Sequence, residues 1–290
     1  MGDQLKLLVA EGNPSDRIEQ MIALGGRPGH ACFEAQLEIL APGSSVHVVR
    51  PADPQADLPS GVSLEDFDGV LMTGSGLNIP GGEDDVRVTR QIAFAGEVFG
   101  AGVPMYGSCW GLQVAATAAG GKVQASPRGS EMGIGRKITL TPAGRGHPLY
   151  ESKAGVFDQP TVHVDEVTHL PTGTVHLASN AHSTVQAAAI TFRGGTFWGV
   201  QYHPEFDLSD MAVLVRRYAE RLIDQGFFAD EAAAKAHADR LTTLDTDPSR
   251  DDLAWLLGID ADILDKRIRW LEIENWINRL VRPSRQRRRG

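Results

Sequence analysis

Residues Val103 to Gly120 read VPMYGSCWGLQVAATAAG. The stretch opens apolar, passes Gly107 and Gly111 on either side of Cys109, and runs into an alanine-rich segment of helical character. A strand that feeds through a tight turn into a helix is the half-unit of a parallel α/β sheet, so this reading sets the fold class. It also singles out Cys109. A residue on a sharp strand-to-helix turn has strained backbone angles and needs small neighbours. The helix start beyond it favours thiolate over thiol. The G-x-C-x-G spacing therefore suits a nucleophile, although by itself it also fits a cysteine buried among apolar neighbours.

Working outward, the same rhythm repeats on the N-terminal side. LKLLVAEGN (Leu5–Asn13) reads as a buried strand. PSDRIEQMIALGG then has Pro14 at a helix start and glycines at its stop. Helix over Ala31–Leu40, strand at SVHVVRP, strand at FDGVLMTGSG (Phe67–Gly76) and helix from Asp84 to Phe99 follow. These segments predict an α/β fold, a mainly parallel open sheet flanked by helices on both faces. From Gly120 to Val200, short segments such as RKITLT, TVHVDEV, TVHLASN and TFWGVQYHP read as strands separated by turns, an added β-rich segment packed against that sheet. DLSDMAVLVRRYAERLIDQG reads as one amphipathic helix capped by Asp207 or Ser209. Beyond Gly226 two helical stretches flank TTLDTDPSRD. The organisation expected is a domain over 1–225 and a helical C-terminal extension over 226–290, folded onto the first or docking a partner. Removing the chain from Phe227 onward is expected to leave the site assembled while exposing apolar surface.

Composition narrows the class. At 42% hydrophobic and 22% charged residues over 290 positions, the chain is an ordinary globular one. No apolar run approaches the roughly 18 residues that span a bilayer. MGDQLKLLVAEGN lacks the basic flank and long apolar core of a secretory signal, and the serine or threonine of a myristoylation signal. Two cysteines, Cys32 and Cys109, give neither a disulfide framework nor a zinc site, so a cytoplasmic location with reduced thiols is expected. Cys32 is expected in the core, without a catalytic part. A net charge of −9 argues against nucleic-acid binding, and RPSRQRRRG (Arg282–Gly290) is expected to be a solvated, partly disordered tail. His163, Asp165 and His169 lack metal-ligand spacing, so neither a metal nor a cofactor is expected.

GVQYHPEF (Gly199–Phe206) supplies what a thiol nucleophile needs. His203 is a base and Glu205, two residues on at a strand end, is a carboxylate to orient it. Histidine and acid at one strand end also exclude an α/β-hydrolase reading, in which the acid stands well before a lone histidine.

GSCWGLQ (Gly107–Gln113) followed by YHPE resembles the class I glutamine amidotransferases, flavodoxin-like enzymes with a Cys-His-Glu triad. The resemblance covers Leu5 to Leu222 and is closest to the amidotransferase domain of GMP synthase. GVLMTGSG matches that family's strand and glycine loop, HVDEVTHLPTG (His163–Gly173) its His-x-Asp-x-Val segment, and SEMGIGRKITLT its Glu-x-Gly strand. The resemblance implies that Cys109 attacks the glutamine side-chain amide to form a thioester, with His203 moving the proton and Glu205 holding the ring. It further implies an oxyanion hole from Trp110 and from Gly74 and Ser75, and substrate contacts from Gln113, Val162 and His163. The loop reads TGSGLNIPGG where the family has a Gly-Gly-Pro form, and Val162 stands where serine is common.

The chain has no phosphate-binding G-x-x-x-x-G-K-[ST] loop, and the stretch after 225 is too short for an ATP-binding domain. Three functions remain: a glutaminase subunit supplying ammonia to a separate synthetase, docked through the C-terminal helices; a free-standing hydrolase of another γ-glutamyl amide or peptide; or a scaffold with a vestigial triad. The intact triad favours the first two. A homo-oligomer through 226–290 stays open.

Overall fold

The computed structural model describes residues 4–54, 58 and 60–289. Met1–Asp3, the start of the stretch read for signal motifs, and the final Gly290 lie outside the described residues. Strand β1 (Lys6–Ala10) ends at the buried Glu11, and Pro14 caps α1 (Ser15–Ala23). Then come α2 (Gly29–Leu40), β2 (Ser45–Val49), β3 (Gly69–Met72), α3 (Val86–Ala101), β4 (Met105–Ser108) and α4 (Trp110–Ala118). Asp85 caps α3 by accepting from the Arg87 amide, and Gly102 stops it at φ 67°. Both signals stand in the sequence.

The second half brings β5 (Lys122–Ala125), β6 (Glu131–Leu140), a short α5 (Pro142–Arg145), β7 (Val156–His163), β8 (Asp165–His169), β9 (Thr174–Ser179), β10 (Ala187–Phe192) and β11 (Gly195–Val200). One nine-stranded sheet runs in the order β2-β1-β3-β4-β11-β10-β9-β6-β7, with β5 and β8 forming a separate ribbon. The pairs from β2 to β11 are parallel and those from β11 to β7 antiparallel. The α/β class is the one expected, but most of the β-rich segment is not a separate layer. It extends the same sheet, and β11 is the fifth parallel strand, seated directly beside β4. No local pattern distinguishes a strand that joins a sheet from one that packs on it; the pairing is a long-range choice.

The helix expected after Asp207 breaks at Tyr218 into α6 (Leu208–Arg217) and α7 (Ala219–Asp224). Asp207 and Asp210 form a capping box at its start. Beyond it lie α8 (Glu231–Thr246), α9 (Asp251–Leu257), the short α10 (Ala261–Leu264), α11 (Lys266–Arg269) and α12 (Leu271–Asn275), a π-helical turn Trp276–Val281, and α13 (Arg282–Arg289). No helix among the described residues is long and apolar enough to cross a membrane.

These helices enter the core rather than sit on its surface. Ala234, Ala238, Leu241 and Leu244 of α8 pack on Leu208, Met211 and Val215 of α6. Ile273, Trp276, Ile277 and Val281 join the cluster built by β1, β4 and β11, with Trp276 fully buried against Tyr106. A Cβ at Gly69 would lie 2.8 Å from the Trp276 ring, so β3 accepts the indole only through a glycine. The basic stretch is also corrected. It forms α13, with Arg285 and Arg288 at 3.6 and 3.9 Å from the buried Asp68 carboxylate, and Arg288 donates to Phe67 O at 2.9 Å. A carboxylate at the edge of β3 organises a segment that composition alone marks as disordered.

Candidate active site

Cys109 sits between β4 and α4 with φ 51° and ψ −101°, a strained conformation for a residue with a side chain. Its amide donates to Val200 O of β11 at 2.8 Å, and its carbonyl accepts from the Gln113 amide at 3.1 Å. These two bonds clamp the turn. The flanking glycines are steric requirements: a Cβ at Gly107 would lie 2.9 Å from Gly111 Cα, and one at Gly111 would lie 2.7 Å from Met72 O. Trp110 is the first residue of the helix, so its amide has no intrahelical partner.

His203 and Glu205 follow the end of β11, next to β4, so both motifs meet at the carboxyl edge of neighbouring parallel strands. They lie in the turn just past the strand rather than on it. The His203 amide donates to Pro160 O at 2.8 Å, and the ring stacks on Phe206 at 4.1 Å between centroids. His203 Nδ1 donates to Glu205 Oε1 at 2.7 Å, which leaves Nε2 buried and without a partner among the described residues. The carboxylate also accepts from Ser108 Oγ at 2.6 Å. Burial by itself would lower the imidazole pKa, but the Glu205 charge and the Cys109 sulfur outweigh it and hold it up to about 10. The ionised ring therefore contributes stability that is complete below its ordinary value of 6.5 and is lost as pH rises through about 10. A thiol beside a buried, carboxylate-oriented imidazole is the arrangement nucleophilic acyl transfer requires.

The other sequence-predicted residues gather around this centre. Ser75, Gln113, Val162 and His163 line one cavity of about 480 Å³ with Cys109. Gly74 lines an adjoining cavity with Cys109 and His203. Cys109 Sγ donates to Val162 O at 3.5 Å. Gln113 Nε2 donates to Asp165 O at 2.9 Å. The His163 side chain is occupied, with Nδ1 against Asp165 O at 3.0 Å and Nε2 against Glu131 Oε2 at 2.7 Å.

A Cβ added to Gly74 would stand 2.7 Å from His203 Cε1. Gly74→Ala must therefore push the ring or the loop aside. The expected result is a fall in turnover of about 100-fold with the fold retained, because a displacement near 1 Å at reacting groups has that effect. Steady-state kinetics beside a melting curve checks it, and undiminished turnover would refute the close packing.

Glu131, His163 and His182 bring ligand atoms within 4.8 Å of one another. Hydrogen bonds already occupy that cluster. Glu131 accepts from His163, from Asn180 at 2.6 Å and from Gln186 at 2.7 Å. Burial would raise the Glu131 pKa, and these donors pull it below its usual value. The chemistry is that of a structural carboxylate, and a metal would have to break these bonds. Cys32 is buried on α2 and, like Cys109, is a free thiol; burial raises its pKa well above normal, which keeps it inert.

Residues missed in the sequence brace the glycine loop. Glu11 is fully buried at the end of β1. It accepts from Thr73 Oγ1 at 3.2 Å and from the Asn13 amide at 3.1 Å, and its other oxygen accepts from the His30 amide at 2.7 Å. Asn13 Oδ1 in turn accepts from the Gly76 amide at 3.0 Å. An acid directly after a buried strand at the carboxyl edge of the sheet was the available signal.

Comparison with known proteins bears on the fold and the family. A glutamine amidotransferase from Thermotoga maritima superposes with a TM-score of 0.64 at 15% identity, covering 96% of this chain and 98% of that one, a likeness of fold. A γ-glutamyl-L-1-hydroxyisopropylamide hydrolase from a Pseudomonas species is 35% identical over 296 aligned positions, 99% of this chain and 97% of the relative. The glutamine-hydrolysing GMP synthase of Aeromonas hydrophila is 32% identical over 139 positions, 45% of this chain but 26% of that enzyme. The model of class-I glutamine amidotransferases matches residues 38–218. The chain thus belongs to the class-I glutamine amidotransferase family.

Proposed function

We propose that the protein is a free-standing hydrolase that cleaves the side-chain amide of a γ-glutamyl compound through a thioester on Cys109. The observation that carries this reading is the assembled Cys109–His203–Glu205 arrangement with its buried, unpartnered Nε2. The full-length likeness to a γ-glutamyl amide hydrolase, which spans 226–290 as well, supports it.

In this mechanism the Cys109 proton first passes to His203 Nε2, giving a thiolate–imidazolium pair, and the sulfur then attacks the γ-carbonyl. The tetrahedral oxyanion is held by the Trp110 amide and by the loop at Gly74 and Ser75; one such donor is worth about 3–4 kcal/mol. The C–N bond breaks as Nε2 returns the proton to the leaving nitrogen. Water then attacks the thioester by the reverse roles, yielding glutamate and the free thiol. Glu205, fixed by Ser108, holds the ring. Gln113, Val162 and His163 would orient the glutamyl group. We assign catalysis to 1–225 and support of the site to 226–290, in a reducing cytoplasm. No cofactor takes part.

Glu205→Gln removes the charge that keeps the His203 ring protonated. Attack starts from the imidazolium form, so the alkaline limb of the pH–rate profile should shift to lower pH. Turnover should fall about 10⁴-fold, as when a triad acid is neutralised. A limb that stays in place would mean another group titrates.

A second reading, ammonia supply to a separate synthetase, is supported by the partial likeness to GMP synthase and by Trp255 and Leu256, which are 85% and 55% exposed on α9. Incubating the purified chain with a panel of γ-glutamyl amides separates the two. Amine release without a second protein supports the hydrolase. A folded but idle protein that a synthetase awakens supports the donor subunit.

A further inference from the structure

Three helices bring arginines to the mouth of the cavity that holds Cys109. Arg17 lies on α1, Arg217 ends α6 and Arg221 lies on α7; all three line the cavity with Tyr218 between them. Neighbouring arginines are neutralised: Arg87 pairs with Asp85 at 2.6 Å, and Arg27 with Asp207 and Asp210 at 3.1 and 2.5 Å. Among the described residues, the Arg17, Arg217 and Arg221 guanidinium groups form no ion pair. Arg217 Nη2 donates to Gln20 at 3.2 Å, whereas Arg217 Nη1 and Arg221 Nε are buried with no acceptor. The Arg217 and Arg221 groups rest over the Tyr218 ring at 5.7 and 4.4 Å, which fixes their direction. Asp16 and Asp165 also line the cavity, but Asp165 Oδ2 is taken by Asn78 at 2.8 Å. Clustered guanidinium donors lacking acceptors are unfavourable alone and match a carboxylate.

The position of His203 indicates which part of a substrate meets them. The leaving nitrogen must lie against His203 to receive its proton. His203 lines the second, smaller cavity, and so do Arg17, Arg217 and the apolar Ile18, Met21 and Leu214. Gln113 and Asp165 line only the first. The glutamyl part then points toward Gln113 and the amine part toward the arginines along an apolar wall.

We propose that the substrate carries a carboxylate on its amine portion, making it a γ-glutamyl derivative of a short amino acid, and that Arg17 and Arg217 recognise that carboxylate. This inference rests on the γ-glutamyl hydrolysis proposed above.

The test compares kcat/KM for γ-glutamyl-β-alanine and γ-glutamylpropylamide, which differ in a terminal carboxylate against a methyl. The wild-type protein should favour the acid by about 10- to 100-fold, the value of a hydrogen-bonded charge. Arg17→Gln and Arg217→Gln should each compress that ratio toward one, and high salt should compress it too. Equal wild-type values for the two amides would overturn the inference while leaving hydrolysis intact. Variants that slow both amides alike would also overturn it, since the arginines would then read the glutamyl α-carboxylate. Failure to cleave either amide, or any γ-glutamyl amide, would instead refute the hydrolase reading itself.

Discussion

Cys109→Ala should abolish amine release from every γ-glutamyl amide, by about 10⁴-fold or more, while the protein stays folded. The loss is large because no other thiol can form the thioester; Cys32 is buried on α2 and lines neither cavity that Cys109 lines. Stability should change little. Among the described residues the Cys109 side chain donates one long hydrogen bond, to Val162 O at 3.5 Å, and alanine leaves the clamping backbone bonds in place. Removing a side chain from a strained backbone position does not worsen that strain. Amine release and a melting curve on the same preparation check both halves. Turnover that survives the substitution would sink the mechanism.

The second large effect concerns stability and comes from the C-terminal helices. Glu272 on α12 is fully buried and pairs with Lys153, both side chains at 0% exposure, at 3.0 Å. Its other oxygen accepts from Tyr202 Oη at 2.7 Å, and Tyr202 contacts Tyr150 Oη at 2.8 Å. Burial lowers the Lys153 pKa, against the pull of Glu272. Glu272→Ala would strand an ammonium and a phenol in the core, a defect of about 3–5 kcal/mol. A chain of this size should then lose on the order of 10 °C in Tm. Because Tyr202 immediately precedes His203, activity should fall as well. Glu272→Gln keeps the shape and the tyrosine acceptor and should recover part of both. Deleting 226–290 removes Glu272, Ile273, Trp276 and Ile277 together, so the expectation that the site survives such a deletion gives way to one of failed folding. A truncated protein with native stability would contradict the packing. Thermal unfolding of the three variants decides it.

The sequence made parts of this architecture legible and hid others for physical reasons. The turn at Cys109 was readable because Gly107 and Gly111 have no room for a Cβ. The pairing of His203 with Glu205 was readable because two residues in one turn can hardly avoid each other. The seat of β11 beside β4 was not, since strand order is fixed by long-range pairing rather than local pattern. Nor was Ser108, whose bond to Glu205 depends on that same pairing. The arginine mouth draws on α1, α6 and α7, far apart in the chain, and each arginine looks locally like ordinary helix surface. Glu272 and the α13 arginines show the same blindness: charge reads as solvated until a buried partner, Lys153 or Asp68, is placed opposite.

Acid-quenched intact-mass spectrometry of the protein caught during turnover of a γ-glutamyl amide tests the central claim most directly. We predict one added glutamyl group per chain, mapping to the peptide that holds Cys109 and absent from Cys109→Ala. A glutamyl group on another residue, or unimpaired turnover by Cys109→Ala with no adduct, would contradict the account.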